Sequence, residues 1–169
     1  MFSHTGEGEA SLRIHFFSRC SRKMNAVAYR AQNVLCPAPV SFSILIADDD
    51  AGICEFVEAV LAREGYQTTV VNDGNQAILS VRNKPFDLII LDLFMPRKAG
   101  FQTISALRLQ TRAKIIAMSG GGRFPTGDSL LIASRLGAHA TLAKPFNASQ
   151  LLDVVRDLLL DNRTEADAA

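Results

Sequence analysis

The sequence predicts an α/β protein built on a doubly wound five-stranded parallel sheet, and three observations carry that expectation. Short apolar or β-branched runs alternate five times with segments of helical period, joined by brief loops, as crossovers in a parallel sheet require. The run Leu88, Ile89, Ile90, Leu91 is apolar at every residue, as an inner strand buried on both faces must be. Chemically capable residues stand where the runs stop: Asp48 and Asp49, Asp92, Ser119 and Lys144.

Order begins with Ile44, Leu45, Ile46 and Ala47, a short strand that ends in Asp48, Asp49 and Asp50. Ile53, Phe56, Val57, Val60 and Leu61 then recur at helical spacing along one face, and Gly65 stops the helix where a left-handed backbone is cheap. Residues 67–71 read as a second strand near the sheet edge. Asn72, Asp73 and Gly74 turn into a helix packed by Ala77, Ile78 and Val81 that ends before Pro85. The central run through Asp92 follows, closed by Pro96. After a loop, a helix is expected to pack through Phe101, Ile104, Leu107 and, at its limit, Leu109.

Residues 114–118 form a fourth strand that meets Ser119 and Gly120, Gly121, Gly122. A helix over about 129–136 is stopped by Gly137, and a brief strand over 140–143 ends at Lys144 and Pro145. Asn147 with Gln150 resembles a capping box for the last helix, whose buried side is Leu151, Leu152, Val154, Val155, Leu158 and Leu159. The strand order natural to such a chain is flavodoxin-like, with its switch point between the first and third strands.

Domain organisation reads as an irregular extension over 1–40, one ordered domain over 41–161 and a polar tail over 162–169. Net charge is +1, so no bulk attraction to nucleic acid or membrane is expected. Residues 1–40 carry five basic groups, Arg13, Arg19, Arg22, Lys23 and Arg30, against Glu7 and Glu9. That segment reads as an inert tail, or as an extension preceding a start at Met24. Its arginines leave open a contact with an anionic partner. Cys20, Cys36 and Cys54 are odd in number and form no C-x-x-C pair, which fits a reducing cytoplasm and no zinc site. No apolar run is long enough to span a bilayer and no secretory h-region is present.

On its own stretch, Asp92 stays open between a turn or helix-cap aspartate and a functional acid. With the first and third strands adjacent at the switch point, Asp48, Asp49 and Asp92 converge at carboxyl ends, where open α/β sheets bind ligands. Like charges at close range raise one another's pKa, and a divalent cation such as Mg²⁺, which takes one or two protein carboxylates, compensates them. Ser119 adds a hydroxyl and Lys144 an ammonium on the same edge. These parts suit phosphoryl transfer, with the cations neutralising the incoming anion and Asp92 as nucleophile.

This ordered set resembles the receiver domain of bacterial two-component response regulators: Asp48 and Asp49 after the first strand, Asp92 within Leu91-Asp92-Leu93-Phe94-Met95-Pro96, Gly100 and Phe101, Ser119, and Lys144-Pro145-Phe146 preceded by Gly137 and Ala138. The resemblance spans about residues 42–160. It implies phosphorylation of Asp92 by a sensor histidine kinase or a phosphotransfer protein, slow autodephosphorylation, and output through an unidentified protein target. It further implies Mg²⁺ contacts from Asp49, Asp92 and the Phe94 backbone carbonyl, with Asp48 acting largely through water. Lys144 would pair with the phosphoryl group, Ser119 would move toward it, and the Lys144–Pro145 bond would be cis.

Two departures stand out. Thr141 occupies the position where the family usually carries Tyr or Phe, and the three glycines after Ser119 predict a mobile loop that orders on phosphorylation. With at most nine residues after the last helix, a stand-alone receiver without an effector domain is expected, with no direct DNA binding. The competing readings are a Mg²⁺-dependent phosphohydrolase acting through an aspartyl-phosphate and a receiver-like interaction domain. Against the first, Phe94, two residues beyond Asp92, cannot serve as a general acid.

Overall fold

The computed structural model describes residues 41–95, 100–120 and 126–166. The expectations for residues 1–40, for the loop at 96–99, for Gly121 and Gly122, and for the last three residues lie outside the described residues. Five strands, β1 (Ser43–Ala47), β2 (Gln67–Val71), β3 (Leu88–Asp92), β4 (Lys114–Ser119) and β5 (Ala140–Ala143), pair in parallel in the order β2-β1-β3-β4-β5. They alternate with helices α1 (Ala51–Arg63), α2 (Gly74–Asn83), α3 (Gly100–Arg108), α4 (Thr126–Arg135) and α5 (Ala148–Ala166). This is the doubly wound, flavodoxin-like sheet the alternation predicts. β3, buried at every residue, lies at its centre.

Because side chains alternate across a strand, the sheet divides the core in two. Leu45, Ile89, Leu91 and Ile115 pack on one face against Ala77 and Ile78 of α2, Ile104 and Leu107 of α3 and Ala133 of α4. Ile44, Ile46, Leu88, Ile90 and Ile116 pack on the other, against Cys54, Val57 and Leu61 of α1 and Leu151, Val155 and Leu159 of α5. A β3 apolar on both faces is what allows both layers to form, each buried aliphatic side chain contributing about 1.5–3 kcal/mol.

Helix ends follow local chemistry. Asp50 caps α1 by accepting the Gly52 and Ile53 amides, and Asp73 caps α2 through the Asn75 and Gln76 amides. The capping box of α5 is formed: Asn147 N–H donates to Gln150 Oε1 at 2.9 Å, and Gln150 N–H to Asn147 Oδ1 at 3.0 Å. Gly65 has φ +86°, the left-handed value its stop position predicts.

Several residues depart from the sequence expectation. Phe56 is 38% exposed, because the narrow buried stripe of α1 is filled by Cys54, Val57 and Leu61; its ring pairs instead with Phe146, centroids 6.1 Å apart. Leu109 is 89% exposed, since α3 ends at Arg108 and the chain leaves the helical face there. α4 begins at Thr126, a turn earlier than its apolar residues indicate, and Leu136 is exposed beyond its end. α5 continues to Ala166, through residues whose polarity reads as a tail.

At Gly100 a side chain would meet backbone rather than side-chain atoms. A Cβ there would lie 2.5 Å from Leu93 Cα and 2.6 Å from the Asp92 carbonyl oxygen, backbone atoms that cannot swing aside. Gly100→Ala is therefore expected to lower the free energy of urea unfolding by about 1–3 kcal/mol, measured as a reduced denaturation midpoint at unchanged slope.

Candidate functional site

Parallel pairing of β1 with β3 sets Ala47 beside Leu91, so the residues that follow, Asp48 and Asp92, end neighbouring strands. Pairing of β4 with β5 sets Ser119 beside Ala143, and the Lys144 N–H continues the ladder by donating to the Ser119 carbonyl at 2.7 Å. All the sequence-predicted residues thus lie along one carboxyl edge. The side chains then converge across it. Lys144 Nζ donates to Asp48 Oδ2 at 2.6 Å and to Asp92 Oδ1 at 2.8 Å. Carboxylate oxygens of Asp48, Asp49 and Asp92 all lie within 4.8 Å of one another, Asp48 and Asp92 buried and Asp49 exposed.

The second carboxylate oxygen of Asp92 and of Asp48 accepts from backbone. Asp92 Oδ2 accepts the Phe94 N–H at 2.7 Å, and Asp48 Oδ1 accepts the Asp50 N–H at 3.0 Å. Both are bonds from an Asp side chain to the amide two residues on, a local habit of aspartate that sequence reasoning could have used and did not. The Cys54 thiol donates to the Asp48 carbonyl at 3.4 Å, a contact no spacing announces. Ser119 Oγ is buried and has no hydrogen-bond partner among the described residues. Phe94 is half-buried with its ring edge-on to Phe101, centroids 6.3 Å apart. Thr141 is half-buried on β5 beside Ala117. The Lys144–Pro145 bond is cis.

Electrostatics separates the two ends of the ion pair. Burial pushes the Asp48 carboxyl above its usual range, and the Lys144 and Asp50 hydrogen bonds that pull it back do not overcome burial. For Lys144, burial acts to lower the pKa, but the hydrogen bonds to Asp48 and Asp92 outweigh it and hold the ammonium above the usual lysine range. Buried carboxylates with one ammonium between them retain acceptor capacity for a hard cation. Two acids plus water and carbonyl oxygen is a donor set that suits Mg²⁺.

A flavodoxin-like sheet with an acid pocket and a lysine at its carboxyl edge defines a class of α/β signalling domain. The chain belongs to the response regulator receiver domain family, whose family model matches residues 44–156. It is 34% identical over 122 residues to the DNA-binding response regulator MtrA of Mycobacterium tuberculosis, covering 72% of this chain and 52% of that protein. It is 34% identical over 116 residues to the transcriptional regulatory protein CpxR of Escherichia coli, covering 69% and 48%. The chain thus spans about half the length of these curated relatives, and the DNA binding named for MtrA is a property of that protein. Among solved structures, the chemotaxis response regulator CheY4 of Vibrio cholerae superposes with a TM-score of 0.63 at 28% identity, over 70% of this chain and 98% of that one. The receiver domain of Francisella response regulator 1452 does so with 0.66 at 28%, over 72% and 99%.

The protein is accordingly a two-component signalling protein carrying a response regulator receiver domain. Receiver domains interact with histidine kinases or phosphotransfer proteins and bind Mg²⁺ at an acidic pocket. Among the described residues, no helix is long and apolar enough to cross a membrane.

Asp48 yields a pH prediction. An acid whose pKa is higher folded than unfolded favours the folded state only while protonated, and that contribution is lost as pH rises through the folded value. Ionised Asp48 is then a stability liability at neutral pH. Asp48→Asn is expected to raise the urea midpoint at pH 7. The gain should disappear as pH falls below the usual value of 3.8, and a constant difference across pH would contradict it.

Proposed function

We propose that Asp92 accepts a phosphoryl group from a phosphohistidine on a sensor kinase or phosphotransfer protein in the cytoplasm, and that the phosphorylated protein signals by binding a protein partner. The observation that carries this reading is the single ammonium of Lys144 held between Asp48 and Asp92, with Asp49 alongside. In the transfer, the donor's P–N bond breaks as a P–O bond forms at Asp92. The electron pair of the broken bond stays on the imidazole. Lys144 screens the carboxylate from the incoming anion and afterwards pairs with the phosphoryl oxygens.

Ser119 supports the same reading. A buried hydroxyl without a partner is costly, and a phosphoryl oxygen on the adjacent strand end would supply the acceptor it lacks. Asp49, Asp92 and the Phe94 carbonyl would hold Mg²⁺, with Asp48 acting through water behind them. When bound, that ion supplies charge neutralisation and alignment for in-line transfer. Phe94 offers no proton for hydrolysis, so the aspartyl-phosphate would be lost only slowly, and the domain serves as a switch rather than as a phosphohydrolase.

With acetyl phosphate and Mg²⁺, the protein is expected to gain a single phosphoryl group, seen by mass spectrometry and absent in Asp92→Asn. Lys144→Ala should slow its formation on the order of 100-fold, the scale of losing one preorganised charge at a developing anion. Rapid multiple turnover would instead identify a phosphohydrolase, and neither phosphorylation nor beryllofluoride binding would leave an interaction domain only.

A further inference from the structure

The two faces of the sheet differ in charge. On one, α2, α3 and α4 carry Arg82, Arg108 and Arg135 against Asp128 alone. On the other, α1 presents Glu55 and Glu58 as exposed acids. Each set of charges surrounds an exposed apolar residue. Leu109, 89% exposed just past the end of α3, stands between Arg108 and Arg112, both exposed; Phe56, 38% exposed, stands between Glu55 and Glu58. A lone exposed leucine is ordinary on a protein surface. Leu109 differs because the chain holds it there. The Gln110 and Thr111 amides both donate to the Leu107 carbonyl at 2.9 Å, and Gln110 Oε1 accepts from Arg82 Nε at 2.6 Å, which braces the turn from α2. The Arg108 stem lies against Gly137, where a Cβ would come within 3.0 Å of its Cγ, and Arg108 Nη1 stands 3.2 Å from His139 Nε2. The leucine and its neighbouring arginine are thus fixed before any partner arrives, which lowers the ordering cost of binding.

A fixed apolar side chain rimmed by arginines fits an apolar spot rimmed by carboxylates, and α1 of the same chain carries one. We propose that the protein self-associates head to tail, with Leu109, Arg108 and Arg112 of one copy seated on Phe56, Glu55 and Glu58 of the next. Because α1 and α3 lie on opposite faces of the sheet, no copy can make this contact with itself, and a pair leaves one surface of each kind unused. Such a heterologous contact adds copies in a row as concentration rises, unless its rotation closes a ring. Exposed charge pairs are individually weak and screened by salt, so the assembly forms at low ionic strength and high protein concentration. A nucleic acid fits the same surface less well. Its phosphates would meet the arginines, but residues 107–118 hold no aromatic ring for a base to stack on, and Leu109 would face charge. The proposal does not depend on the phosphoacceptor reading.

Sedimentation velocity of the full chain, without phosphodonor, tests it. In about 0.01 M salt, where the screening length is about 30 Å, the weight-average mass should rise severalfold with protein concentration; in about 1 M salt, where it is about 3 Å, the protein should stay monomeric. Two charge-reversed variants, one with Arg108→Glu and Arg112→Glu, the other with Glu55→Arg and Glu58→Arg, should each stay monomeric at low salt while circular dichroism shows the fold retained. Mixed in equal amounts they should associate again, because each surface now meets an opposite one, and all four changes in one chain should do the same. A monomeric unaltered protein at low salt overturns the proposal, as does association that survives either reversal, or a mixture of the two folded variants that stays monomeric. If a reversed variant does not fold, Leu109→Ser, at a residue already 89% exposed, decides the matter: weaker association supports the contact and unchanged association overturns it. Binding of a single-stranded oligonucleotide that is lost with Arg108→Glu and Arg112→Glu, by a protein that does not self-associate, would assign the arginines to a nucleic acid and also overturn it.

Discussion

The ammonium of Lys144 stands between the carboxylates of Asp48 and Asp92, and the geometry of the carboxyl edge follows from the need to reach both. In the order β2-β1-β3-β4-β5, Lys144 leaves β5 while Asp92 ends β3, so the side chain has to pass over the end of β4. Neighbouring strands are about 4.8 Å apart, so the crossing spans roughly 10 Å. Only a long unbranched side chain covers that distance, and only if the residues beneath it are short. Ser119 and Gly120 are what the chain places there. Removing the ammonium would leave two buried acids facing each other, each raising the other's pKa.

That the acids can be buried at all depends on the turns that follow each strand. Asp48 and Asp92 each accept the amide two residues on, Asp50 accepts that of Gly52 and Asp73 that of Asn75. One local geometry thus serves four aspartates for different ends. In Asp50 and Asp73 it caps a helix. In Asp48 and Asp92 it satisfies one oxygen and leaves the other to Lys144, so that neither charge is buried without compensation. Sheet order decides which aspartates meet; turn geometry decides which oxygens remain available.

Much of this was legible in the sequence because it is periodic or punctuated. The five strands, the five helices, the strand order and the capping box at Asn147 all follow from spacing, β-branching and cap chemistry. What spacing could not supply is competition for the same buried surface. Phe56 matches the helical period of α1 as well as Val57 does, yet Cys54 is the smaller residue that fits under Asp48, and the ring is turned out to Phe146. Leu109 reads as part of an apolar face until the helix ends before it. The closeness of Gly120 to Lys144 is likewise invisible to any local pattern, since residues 24 positions apart meet only after β4 and β5 have paired.

The same packing fixes how Asp92 is joined to the rest of the domain. Leu93 N–H donates to the Met118 carbonyl at 3.0 Å, tying the residue after Asp92 to β4, while the Gly100 N–H donates to the Leu93 carbonyl at 3.1 Å, tying it to α3. Gly100 lies too close to Asp92 and Leu93 for any Cβ, and the ring of Phe101 in the next position meets that of Phe94. Close-packed interiors do not deform continuously. The backbone beyond Asp92 therefore cannot shift without moving either the end of β4 or the first turn of α3, and the Phe94 amide that touches the Asp92 carboxylate belongs to that same rigid contact. Thr141 on β5, paired with Ala117, carries no ring, and among the described residues the aromatic pair that includes the turn after Asp92, Phe94 with Phe101, lies on the α3 side.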